Sequence, residues 1–255
     1  MTVDVAGAAA ALQGADDILI LSHRRPDGDT AGCAGALCRA LRQIGKTAYI
    51  LENPEITKRY MPLIVPCYPP EGFQPQFVVS TDIAEEKLFP DTAEPYKGKV
   101  DLVIDHHRSN LGFGKQNLVR PDAGACAEVL YDVIMALGVK LTTDIAECVY
   151  IGVSTDTGCF KFSNTTAHTH AVAAACLTAG IDGARSTAPC SRPKPCRASR
   201  WSASSSTRWS SMKTAPLRWR CYGAQTLTAR ARIWMIWTRS RRSRARSRAC
   251  RSALR

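Results

Sequence analysis

No aspartate or glutamate follows Asp182 in this 255-residue chain, and no tryptophan precedes Trp201. The 11 cysteines include no Cys-x-x-Cys pair, so a zinc ribbon or thioredoxin-like motif is excluded. Their odd number and scattered spacing argue against a disulfide framework, and free thiols in a reducing cytoplasm are expected. There is no secretory leader and no apolar run of the length a membrane span needs. Walker and dinucleotide glycine fingerprints are missing, and so is any internal repeat.

The missing acids divide the chain. Residues 1–184 hold 15 Lys and Arg against all 22 acids, a net −7. Residues 185–255 hold the other 19 basic residues and no acid. The overall +12 is therefore an average of two unlike parts. The tail is mostly Arg, Ser, Ala, Cys, Pro and Trp, with little helical or strand periodicity. It reads either as a basic arm for nucleic acid or a membrane surface, or as a GC-rich gene translated out of frame. Ala-Arg-Ile-Trp-Met-Ile-Trp-Thr-Arg-Ser at 231–240 bears on the choice. With permitted codons, reading it from the third base gives Glu-Asp-Leu-Asp-Asp-Leu-Asp-Ala-Ile, an ordinary acidic helix segment. The composition favours a frame change near residue 184. Residues 1–183 are then one domain, and 184–255 a disordered tail.

The strongest chemical signal is Asp101-Leu-Val-Ile-Asp-His-His107. Leu102, Val103 and Ile104 make a run suited to a buried strand. It ends abruptly in Asp105, His106 and His107, which are costly there unless paired or metal-bound. Further strands are expected at 17–22, 46–51, 77–81 and 99–104, with a short one at 160–162. Helices are expected at 5–12, 31–44, 125–137, 143–153 and 166–179, with Thr30 as the N-cap of the second. Gly32 and Gly35 should let that helix approach a neighbour closely. Residues 53–76 read as a loop with little regular structure. Strands alternating with helices predict an α/β fold, a mainly parallel sheet flanked by helices.

Polar groups gather at the ends of these elements. His23, Asp27 and Asp29 share one turn around Pro26 and Gly28. Asp82 follows the third strand, and Asp156 follows the helix at 143–153. Alone, Asp82 is an ordinary turn residue and Asp156 a helix cap. His168 and His170 read as surface or packing residues. Carboxylates mixed with imidazoles suit Mn²⁺ or Mg²⁺, with Co²⁺ or Fe also possible. There are enough donors for two ions, and Asp82 could bridge them. Two ions about 3.5–4 Å apart suit hydrolysis of phosphate esters or anhydrides.

His23-x-x-Pro-Asp-Gly-Asp29, Ser80-Thr-Asp82, Asp105-His-His107 and Thr155-Asp-Thr-Gly158 resemble, in spacing and order, the four motifs of the DHH phosphoesterase superfamily. Asp105-His-His-Arg-Ser-Asn110 and Phe162-Ser-Asn-Thr-Thr166 are most similar to its branch of bacterial oligoribonucleases and 3′-phosphoadenosine 5′-phosphate phosphatases. Class II inorganic pyrophosphatases share the catalytic core, but Arg25-Pro-Asp-Gly-Asp29 favours the nuclease branch.

The resemblance implies one ion on His23, Asp27 and Asp82, and another on Asp29, Asp82, His106 and Asp156. It makes His107 the group facing the phosphate, with Asp105 orienting the histidines. Water attacks directly, without a covalent intermediate. Short single-stranded RNA and nucleoside bisphosphates are the implied substrates, and a homodimer is conceivable. Members carry a smaller second domain with a glycine-rich clamp. No such motif follows residue 183, so that domain is expected to be absent or scrambled and the chain possessed of a core without its clamp. The alternatives are a pyrophosphatase-like hydrolase, an inactive truncated product and a non-enzymatic, basic-tailed nucleic-acid binder.

Overall fold

The computed structural model describes residues 1–187. The tail beyond residue 187 lies outside them, while its first residues, 184–187, expected to be disordered, belong to a short helix. Five short strands form one parallel sheet: β1 (Ile18–Leu21), β2 (Ala48–Ile50), β3 (Phe77–Thr81), β4 (Leu102–Asp105) and β5 (Gln116–Val119). Their order is β2-β1-β3-β4-β5. The chain reverses direction of winding between β1 and β3. In open α/β sheets, sites form outside the carboxyl ends of the strands at such a point.

The strands are buried on both sides, which explains their continuous apolar runs. Ile18, Ile20, Val79, Leu102 and Ile104 face a core built with α1 (Val5–Gly14), α2 (Gly28–Gln43), α4 (Cys126–Ala136) and α5 (Thr143–Asp156). Leu19, Leu21, Val78 and Val103 face the other way, against Ile83, Phe89, Ala93 and Val100. That side is covered by short 3₁₀ turns at Glu86–Leu88 and Asp91–Tyr96. α6 (Ala167–Thr178) packs beside α5.

Helices α2 and α5 cross closely because glycine lies at the crossing. A Cβ on Gly32 would come within 2.4 Å of the Cys148 carbonyl oxygen. The expected close approach is therefore real, and it runs against α5.

Several boundaries differ from expectation. Asp27, not Thr30, caps α2, accepting from the amides of Asp29 and Thr30 at 2.9 and 3.1 Å. Its backbone is extended, so the helix starts at Gly28. Residues 53–76 contain a short helix, α3 (Met61–Ile64), and a following 3₁₀ turn. β5 escapes the sequence pattern because Gln116 and Asn117 open it. It is an edge strand, and its edge is partly covered by a parallel bridge from Thr2 to Asn117. The strand expected at 160–162 is a turn, with Cys159 and Phe160 at φ +56° and +63°. α5 runs on to Asp156, placing that residue in its last turn. A five-residue helix, α7 (Gly183–Thr187), follows α6.

Candidate metal centre

Every residue expected in the site reaches one crevice. β1 leads through Ser22 into His23 and the Asp27 cap. β3 ends at Asp82, which takes φ +58°, a left-handed conformation that aspartate tolerates better than most residues. β4 ends at Asp105, and α5 ends at Asp156. Ligand atoms of His23, Asp27 and Asp82 lie within 4.8 Å of one another, as do those of Asp29, His106 and Asp156. Nε2 of His106 stands 3.5 Å from Asp156, 3.7 Å from Asp82 and 4.0 Å from Asp29.

Neighbouring backbone and polar groups fix these donors. Asp29 accepts from the Cys126 and Ala127 amides at the start of α4, at 2.7 and 3.0 Å. Asp82 accepts from the Thr30 hydroxyl at 2.6 Å through Oδ2. Nδ1 of His106 meets the Ala123 carbonyl oxygen at 3.2 Å, which leaves Nε2 with a free lone pair toward the carboxylates. Nδ1 of His23 is likewise held by the Arg24 carbonyl. Asp105, fully buried, accepts from Nδ1 of His107 at 2.7 Å and from Asn110 at 2.6 Å.

The electrostatics show what is needed to balance the charge. Burial, then the charges of Asp156 and Asp27, push the Asp29 carboxyl up to about 8. Burial and then Asp29 push Asp82 well above the carboxylate range, and burial raises Asp156. Asp105 goes the other way. Burial acts to raise it, but hydrogen bonds from His107 and Asn110 leave it below its ordinary value. That same bond to Asp105 raises His107.

Oδ1 of Asp82 is buried and has no hydrogen-bond partner among the described residues. Unsatisfied buried acceptors are rare, and this one faces two imidazoles. An orphaned oxygen, mutually repelling carboxylates and histidines with Nε2 left free fit hard divalent cations.

The sequence pattern missed some participants. Thr30 looked like a cap and is instead a partner of Asp82. Ala123 acts through its carbonyl, which no side-chain pattern can signal. Cys126 places Sγ within 4.8 Å of Asp82 and Asp105 oxygens. Burial raises its thiol, which lies 3.3 Å from the Ile104 carbonyl oxygen. His168 and His170 stay apart, as expected. His168 pairs with Asp132 at 3.1 Å, and His170 stacks on Phe160.

Two of the surface clefts can be compared with the cluster. One of about 410 Å³ opens beside His106 and His107. Another of about 460 Å³, lined by Arg39, Tyr60, Glu147 and others, includes no residue of the cluster.

A sheet of this order, with His and Asp gathered at its switch point, is an α/β fold carrying a candidate metal crevice. The chain belongs to the DHH family: the model of that family's N-terminal domain matches residues 17–153. It is 38% identical over 166 residues to a bifunctional oligoribonuclease and PAP phosphatase of Thermus thermophilus, covering 64% of this chain and 50% of that protein. Identity to the Bacillus subtilis protein of the same name is 30% over 159 residues, covering 60% and 50%. The chain thus spans about half the length of the curated relatives it matches.

Among solved structures, an exopolyphosphatase-related protein from Bacteroides fragilis is similar, with TM-score 0.64 and 21% identity. It covers 72% of this chain and 58% of that one. That likeness shows the fold.

Proposed function

We propose that residues 1–183 are the catalytic domain of a two-metal phosphoesterase acting on short RNA oligonucleotides and nucleoside 3′,5′-bisphosphates. The observation that carries the reading is the pair of donor groups, His23/Asp27 beside Asp82 and Asp29/His106/Asp156, whose His106 lies 3.7 Å from Asp82. His23, Asp27 and Asp82 would hold one ion, and Asp29, Asp82, His106 and Asp156 the other, with Mn²⁺ the first candidate. Bound there, two divalent ions supply Lewis acidity that activates water and neutralises the phosphoryl charge.

The chain's own residues do the rest. Asp105 positions His107 by accepting from Nδ1 at 2.7 Å and favours the imidazolium, whose second proton, on Nε2, faces the substrate. Water loses a proton to solvent as its oxygen bonds to phosphorus, the P–O bond to ribose breaks, and the departing ribose oxygen takes a proton from the His107 imidazolium. The raised affinity of His107 for that proton suits the role. Asp105 stays ionised and does not itself transfer the proton.

The test is hydrolysis by the Mn²⁺-loaded full chain of a diribonucleotide, adenosine 3′,5′-bisphosphate and pyrophosphate. Mononucleotide and phosphate should be released from the first two. His107→Gln should reduce turnover by about 10²–10⁴-fold and leave metal content unchanged. A fully metal-loaded chain that cleaves none of the three sinks the reading, and a preference for pyrophosphate redirects it. The basic tail is read as out of frame. Sequencing the DNA around codon 184 should show a second frame continuing into an acidic domain with a glycine-rich motif. If no other frame stays open there, the tail is a genuine basic arm.

A further inference from the structure

The cleft beside the metal cluster has a wall that the proposed chemistry does not use. Arg108 follows His107 directly and lines this space of about 410 Å³. It is exposed, and among the described residues it has no ion pair or hydrogen bond. Several other arginines in the described chain are engaged. Arg24 and Arg25 pair with Asp91 and Glu55, while Arg39 and Arg42 donate to backbone carbonyls. The one carboxylate lining the cleft, Asp122, already accepts from Arg120 at 3.3 and 3.5 Å. Arg108 is therefore an uncompensated cation one residue from His107.

The opposite wall carries Ser163, Asn164 and Thr166. Thr166 caps α6, a twelve-residue helix, so the positive end of its dipole borders the cleft. Asn164 anchors this wall to the metal cluster. Its amide donates to the carbonyls of Gly124 at 2.8 Å and Asp156 at 3.2 Å. The cleft is thus held in fixed relation to Asp156, and its charge is opposite to that of the acidic cluster next to it.

We infer that Arg108 and the Ser163–Thr166 wall form a subsite for the non-scissile phosphate of a nucleotide substrate, separate from the phosphate attacked at His107. This rests on the phosphoesterase reading for the site as a whole. Guanidinium groups bind phosphate through two parallel hydrogen bonds, and a helix N-terminus favours the same charge. A nucleoside 3′,5′-bisphosphate or a 5′-phosphorylated dinucleotide carries two such groups. One would lie against the metal cluster and the other at Arg108.

The experiment is calorimetric titration of the Mn²⁺-loaded full chain with adenosine 5′-monophosphate, with and without inorganic phosphate. The nucleotide's phosphate should occupy the Arg108 subsite while inorganic phosphate occupies the cluster, so both bind together. Arg108→Ala should weaken the nucleotide about tenfold or more and leave inorganic phosphate unchanged. Arg108→Lys, which keeps the charge but loses the fork, should fall between. The inference is overturned if Arg108→Ala binds the nucleotide normally, if inorganic phosphate displaces it fully, or if the nucleotide does not bind. Arg108-dependent nucleotide binding without turnover of any phosphate ester supports the subsite and defeats the phosphoesterase reading.

Discussion

The hydroxyl of Thr30 donates to Oδ2 of Asp82 at 2.6 Å, and this bond decides which Asp82 oxygen is left for a cation. The residues are 52 apart in sequence and belong to different elements. Oδ1 remains buried, unpartnered and 3.7 Å from both His106 Nε2 and His107 Nδ1. Thr30→Val keeps the shape and removes the bond. Asp82 should then turn more freely, and affinity for Mn²⁺ should fall by about 10–100-fold. Competition titration against a metal chelator measures this. Unchanged affinity would show that Asp82 is held by the strand end alone.

Asp82 and His23 should differ in how many ions they cost. Asp82 clusters with His23 and Asp27 and also lies 3.7 Å from His106 of the other donor group, whereas His23 belongs to one. Wild-type chain should bind two Mn²⁺, His23→Ala one, and Asp82→Ala neither with appreciable affinity. Metal analysis after gel filtration gives the stoichiometry. Two ions retained by Asp82→Ala would remove the bridging role.

The carboxylates also set a pH dependence. Asp29 is raised from 3.8 to about 8 in the folded chain, and Asp82 and Asp156 move the same way. The folded state therefore holds more protons than the unfolded one. The stability these groups confer is complete below about pH 4 and is lost as pH rises through about 8. Asp105, lowered in the fold, is ionised in both states across most of that window and contributes little slope. The metal-free chain should melt at progressively lower temperature from about pH 5 to about pH 8. Mn²⁺ should reverse the trend, because it favours the ionised carboxylates. Thermal melts at several pH values, with and without metal, check both signs. A metal-free melting temperature that rises over this range would contradict the arrangement of charges.

Much of this site was legible because its donors sit where apolar runs stop. Leu102–Ile104 had to be a buried strand, so Asp105-His106-His107 had to lie at its end. The parallel sheet followed from the same runs. What could not be read was carried by backbone or by partners distant in sequence. The Ala123 carbonyl that orients His106 leaves no side-chain signature. Thr30 satisfies a local capping rule, and only tertiary packing turns it toward Asp82. β5 was hidden because an edge strand needs few apolar residues, and Gln116-Asn117 look like loop. The left-handed turn at Cys159-Phe160 mimics an alternating strand in sequence, yet its backbone cannot pair.

Gly152 offers the sharpest separation of packing from metal binding. A Cβ there would come within 2.6 Å of the Ala127 Cβ and 2.7 Å of Asp29 Oδ1. At Gly32 it would instead strike the Cys148 carbonyl oxygen, at 2.4 Å. Both substitutions to alanine overpack the crossing of α2 with α5 and should cost about 1–3 kcal/mol. Only Gly152→Ala pushes directly on a proposed ligand. The two variants should therefore melt at similarly lowered temperatures, whereas Mn²⁺ affinity should fall markedly for Gly152→Ala alone. Equal loss of affinity in both would mean that the whole crossing, not contact with Asp29, holds the carboxylate in place.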